Sequence, residues 1–173
     1  MVSTGAGSQD GWPAFAIVLL TVLGGLLAAC SYATPQRTPP VGSLPDPAVL
    51  LSGPDLVAIF RGYPSPPACR YAESQYRCTW TDTANPARQL TVTIWADPAR
   101  ARTVIAGGDV QPVTLPGANE AATIVGDGEV VVWSVVNERG LEVSWSPDDP
   151  GNEAAHVLAA TGLAGTLTTI LAP

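Results

Sequence analysis

The chain contains no lysine; all eight of its basic residues are arginine. Histidine and methionine occur once each, and cysteine three times, in 173 residues. Charged side chains make up only 13%, about half the usual share for a globular protein. Each scarcity excludes something. Eight arginines against fifteen carboxylates leave a net charge of −7, which speaks against nucleic-acid binding through phosphate neutralisation. Three cysteines are too few for a disulfide-dense scaffold. The spacing of Cys69 and Cys78 is not that of a C-x-x-C redox motif, and no second pair of thiols or imidazoles completes a zinc site. No G-x-S-x-G elbow, H-E-x-x-H helix or G-x-x-x-x-G-K loop is present. The sequence thus implies no catalytic residue, no cofactor and no metal.

The N-terminus carries a long uncharged stretch. Nothing from Gly11 to Gln36 is ionisable as a charge carrier, and Ala14 to Ala28 is nearly all apolar. That length suits the h-region of an export signal. The run ends in Leu27-Ala28-Ala29-Cys30, which resembles a bacterial lipobox: an apolar residue, two small ones, then the cysteine whose thiol takes a diacylglyceryl group. Residues 1–29 are expected to be a lipoprotein signal peptide, with Cys30 anchored in membrane lipid on the extracytoplasmic face. Two other readings stay open. Trp12 to Ala33 is long enough for a retained transmembrane helix, and an ordinary cleaved secretion signal has the same h-region. Asp10 and the lack of any basic residue before the run depart from the usual signal pattern.

Lipidation of Cys30 leaves Cys69 and Cys78 as an even pair. In an oxidising compartment these are expected to form a disulfide. Closing so short a loop stabilises by about 2–3 kcal/mol in the chain-entropy picture. Residues 30–47 hold Pro35, Pro39, Pro40, Pro45 and Pro47 with few large apolar side chains between them. This composition predicts an extended tether, reaching up to roughly 50 Å from the membrane.

Residues 48–173 predict a single α+β domain. Ser52 caps a helix that contains Pro54 and stops at Gly62. Tyr76, Cys78 and Trp80 alternate with polar residues, as do Leu90, Val92 and Ile94, giving two strands of a hairpin. Asp97-Pro98 opens a second helix running to about Ala106. Pro112–Gly117 reads as loop or short edge strand. Ala121–Val125, Glu129–Val136 and Leu141–Ser146 are three further strands joined by tight turns at Gly126-Asp127-Gly128 and Asn137–Gly140. Asn152–Leu171 is helical in composition. The expected architecture is a mostly antiparallel sheet of about five strands packed by helices.

The lipobox, the proline-rich tether, Cys78-Thr79-Trp80-Thr81 opening a hairpin with Leu90-Thr91-Val92-Thr93, the valine-rich meander and the alanine-rich last helix together resemble the small secreted actinobacterial lipoproteins of a domain-of-unknown-function family. The resemblance spans nearly the whole mature chain and implies a membrane-anchored envelope protein without assigning an activity.

The strand alternation singles out one candidate ligand-facing residue. Trp95 falls on the face opposite Leu90, Val92 and Ile94, beside Thr91 and Thr93, where an indole could stack on a sugar or a hydrophobic ligand. The alternative is a sheet covered on both faces, with Trp80, Trp95, Trp133 and Trp145 all in a core. His156 reads as a helix-surface residue. Asp148, Asp149, Asn152 and Glu153 read as a turn and cap that complement the helix dipole rather than as a calcium loop. These features predict a membrane-anchored binding or interaction module whose partner is an envelope component or protein. A lipid or glycolipid carrier with an apolar cavity is the first alternative, and an envelope enzyme the second.

Overall fold

The computed structural model describes residues 44–173. The signal segment, Cys30 and most of the proline-rich tether lie outside the described residues. The domain is α+β: one antiparallel sheet of seven strands with a helix layer on each face.

Four residues assigned above to the tether, Leu44 to Pro47, belong to the packed domain. Leu44 and Pro47 are buried. Asp46 caps the short helix α1 (Pro47–Leu50) by accepting the Ala48 N–H at 2.9 Å. Helix α2 (Gly53–Phe60) starts as its sequence dictates, with a reciprocal capping box between Ser52 and Asp55 and Pro54 in the first turn. It ends on Arg61 in the left-handed region (φ 55°), one residue before the expected glycine stop.

Strands β1 (Ala68–Ala72), β2 (Gln75–Thr81) and β3 (Gln89–Trp95) form a meander. Helix α3 (Ala99–Ile105) follows, opened by the Asp97 carboxylate accepting the Ala99 N–H at 2.8 Å. Then come β4 (Gln111–Pro112), β5 (Glu120–Gly126), β6 (Glu129–Val136) and β7 (Arg139–Ser146). The chain closes with a 3-10 turn (Pro150–Asn152) and helix α4 (Glu153–Leu171). The spatial order is β1-β2-β3-β7-β6-β5-β4, so β7 returns to lie beside β3. The two-residue turns Asp127-Gly128 and Asn137-Glu138 have positive φ throughout (51°, 76°, 48°, 59°), the backbone that matches strand twist.

The expected count of about five strands falls short by β1 and β4. Neither carries an alternating apolar pattern: all five residues of β1 and both of β4 are exposed, as befits sheet edges.

The faces of the sheet differ. On one face Cys78, Trp80, Leu90, Val92, Ile94, Val132, Leu141, Val143 and Trp145 form the main core beneath α1, α2 and α4. Phe60 meets Trp145 edge to face at 5.3 Å. Arg88 ties this end together. It pairs with Asp82 at 2.8 Å and donates to the Phe60 carbonyl at 3.0 Å, closing the C-terminus of α2. Helix α4 is apolar and long enough to cross a membrane by composition, but Ala160, Leu163, Ala164, Leu167, Thr168 and Leu171 pack it onto the sheet as a core helix. On the opposite face α3 covers only the β5–β6–β7 half. There Ala101, Trp133 and Val135 form a small second core with Trp95, Val104, Ile105, Ile124 and Val131.

Candidate functional site

The half of the second face that α3 leaves uncovered is built from polar residues in rows set by strand register. One row runs Arg70, Arg77, Thr93, Glu142, Trp133 across β1, β2, β3, β7 and β6. The next on one side contains Gln75, Trp95 and Gly140, and on the other Thr79, Thr91 and Ser144. Arg77 Nε donates to Thr93 Oγ1 at 3.0 Å, laying its side chain along the sheet. The Thr79 and Thr91 hydroxyls pair at 3.0 Å, and Ser144 donates to Glu129.

Trp95 points to this face, as the alternation requires, but it is not a free stacking platform. It is half-buried, and the Arg100 guanidinium from α3 sits 4.7 Å from its ring centre. Arg100 also reaches Trp133, at 5.8 Å. Gly140 makes room for the indole: a Cβ there would stand 3.3 Å from the Trp95 Cβ. Trp133 belongs to the same small core, while Trp80 and Trp145 lie in the main one.

Glu142 is the residue that strand alternation alone did not reveal. Burial raises its pKa above the ordinary carboxylate range, and nearby Glu129 adds to the rise. Arg77, Arg100 and the indole N–H of Trp95 act against it without cancelling it. Its Oε2 has no hydrogen-bond partner, nor do Trp95 Nε1 and Gln75 Oε1; the indole is aimed at the carboxyl without meeting hydrogen-bond geometry. Three orphaned polar atoms thus lie in two adjacent rows. Among the described residues Arg70, Arg77 and Arg100 form no ion pair, whereas Arg88 and Arg102 do.

Cys69 and Cys78 are directly opposite on β1 and β2 and form a disulfide. Cys78 faces the main core, where Asp46 approaches its sulfur at 3.6 Å and accepts the Tyr76 hydroxyl at 2.7 Å. Burial and this hydrogen bond push the Tyr76 pKa up to about 12. The Asp46, Cys69 and Cys78 donor atoms lie within 4.8 Å of one another, but the disulfide removes both thiolates from any ligand set.

The acidic segment before α4 divides. Asp148 accepts from Asn85 at 2.8 Å and approaches Arg88 at 3.3 Å, and Asp149 caps the 3-10 turn. Glu153 and His156 instead line a cavity of about 350 Å³ with Thr123, at the β5–β6 turn. His156 Nε2 bonds the Asp149 carbonyl at 2.6 Å.

No family model matches the chain, and no curated protein matches it. Among solved structures it is similar to the crystal structure of a GTP-binding regulator from Thermotoga maritima, at 9% identity over 74% of this chain and 94% of that one, with a TM-score of 0.36. A likeness that loose carries no argument about this chain.

Proposed function

We propose that the chain is a membrane-anchored cell-envelope lipoprotein whose domain is a binding module, and that the uncovered arginine-bearing half of its sheet receives an anionic envelope component. The observation that carries this reading is the placement of Arg70, Arg77 and Arg100 on one face, none of them in an ion pair among the described residues, in a chain of net charge −7; Glu142, on which Arg77 and Arg100 act, stands in the same row. Arg77, held on Thr93, and Arg100, stacked over Trp95, are preorganised donors for carboxylate or phosphate. The lipobox-like Leu27-Ala28-Ala29-Cys30 supports a placement of this module on the outer face of the membrane. The carrier alternative draws no support from the packing, because the space between sheet and helices is filled by Trp80, Leu90, Ile94, Leu141, Trp145 and Leu167, each 2% exposed or less.

The test is photo-cross-linking of the full chain in its own host. A photoreactive residue at Thr91 is expected to give a discrete adduct in the membrane fraction. Arg70→Ala with Arg77→Ala should lower its yield about tenfold, and added polyphosphate should compete. An adduct that survives the double substitution, or one formed equally well from Val49 on the opposite side of the sheet, would overturn the reading.

A further inference from the structure

The outer face of α4 is not that of an ordinary surface helix, which carries charge on its solvent side. Beyond His156 no side chain of α4 is ionisable. Its apolar stretch long enough to cross a membrane is only 33% buried. Leu158 is 73% exposed and Ile170 48%, with Gly162, Thr166 and Thr169 exposed between them. With Leu115 and Pro116 this face lines an open groove of about 620 Å³ that contains no ionisable residue. On the other side of the Leu158 ridge, Asp55 is already engaged in the α2 capping box.

The threonines of this face are prepared for an apolar neighbour. Thr161 donates to the Val157 carbonyl at 2.7 Å, Thr166 to the Gly162 carbonyl at 3.2 Å and Thr169 to the Gly165 carbonyl at 2.8 Å. Each hydroxyl proton is thus bonded within the helix, so dehydrating the face leaves no donor unpaired.

The chain's connectivity says what can cover it. Leu44, where the described residues begin, is buried in the main core, on the face of the sheet that α4 covers. Fourteen residue steps separate Leu44 from Cys30, a reach of at most about 50 Å. A tether that joins the domain on its helix side lets that side turn toward the lipid holding Cys30. With no charge on the groove, contact rests on burial of apolar surface in the headgroup region. Such contact is weak for a free protein, but a tethered one meets the bilayer at high effective concentration. We infer that the outer face of α4 docks on the surface of the membrane that anchors the chain, with Leu158 and Ile170 entering the boundary between headgroups and acyl chains. This rests on the anchorage proposed above. Because α4 and the arginines lie on opposite faces of the sheet, docking turns the arginines away from the lipid.

Fluorescence of the full lipidated chain in vesicles of phosphatidylcholine and phosphatidylglycerol with nitroxide-labelled acyl chains tests this. With Cys30 acylated and the Cys69–Cys78 disulfide closed, an introduced cysteine is the one free thiol for a fluorophore. Thr166→Cys reports the α4 face, and Thr103→Cys, on α3 across the sheet, is the control; both positions are exposed. Flotation with the vesicles reports the anchor separately. The nitroxides should quench the Thr166 probe and spare the Thr103 probe. Leu158→Asp with Ile170→Asp should lower that quenching about tenfold. Flotation and melting temperature should be kept, since both side chains are exposed. A chain that floats with its Thr166 probe unquenched overturns the docking and leaves the anchorage standing; a chain that does not float overturns both. A Thr166 probe shielded from water yet out of reach of the nitroxides would give the face to a second copy or to residues 1–29, and would also overturn the inference.

Discussion

Glu142 shows how a single residue can be held against its own preference. The unfolded chain releases the proton of this carboxyl at the ordinary glutamate pKa, about 4.3. The folded chain holds the proton to higher pH, because burial penalises the anion more than Arg77, Arg100 and Trp95 compensate it. Between those two pKa values the native state binds more protons than the unfolded one, so stability falls as pH rises. Below the ordinary pKa the contribution is complete; above the folded pKa it is gone. Glu142→Gln keeps the shape and removes the charge. It should therefore raise the melting temperature at pH 7, with the gain shrinking as pH falls and vanishing below pH 4. Thermal unfolding of both proteins across that range checks this, and a gain independent of pH would refute it. The side of Trp95 was legible from the alternation of β3. The role of Glu142 was not: it depends on β7 returning beside β3, which places Glu142 opposite Thr93 through a pairing 49 residues apart in sequence.

At the scale of elements, most local signals match the structure. The Ser52 cap, the Asp97 cap, the alternation in β2 and β3 and the tight turns at 127–128 and 137–138 each depend on neighbours within a few residues. Strand β1 has no such signal; an edge strand with every residue exposed is defined by its partner, and here Cys69 opposite Cys78 pins it. The tether drawn to Pro47 runs past the start of helix α1, which Asp46-Pro47 itself marks. The loop before β5 depends on α4 in the same non-local way. Thr168 donates to the Pro116 carbonyl at 2.6 Å, and Gly117 adopts φ +76° against the helix. A Cβ on Gly117 would stand 2.8 Å from the Thr168 carbonyl oxygen, whereas one on Gly108, with φ +89°, would meet nothing within 4 Å. Gly108→Ala should cost about 1 kcal/mol, the backbone strain alone. Gly117→Ala should cost about 2–4 kcal/mol, because clash with the helix adds to that strain. Urea unfolding of the two variants separates the contributions, and equal losses would show that the loop yields without disturbing α4.

At the scale of the molecule, charge is sorted by position. The chain is acidic overall, yet three of its arginines gather on one face of the sheet. Such sorting matters most for a domain held at a surface, where orientation decides which face meets the environment. The proposed anchor is therefore as much a part of the function as the sheet. Cys30 is the residue on which that proposal turns, since its thiol would take the lipid and its amide would mark the cleavage point. Cys30→Ala should abolish incorporation of labelled acyl chains and leave residues 1–29 attached, so the intact mass should rise by that segment while the acyl mass disappears. Cys69 and Cys78 provide the internal control, because their disulfide should form unchanged if the precursor still reaches the oxidising side. A variant whose mass differs from the parent's by the substitution alone, with unaltered membrane retention, would instead make Trp12 to Ala33 a permanent transmembrane helix, and the arginine face would then be tethered by protein rather than by lipid.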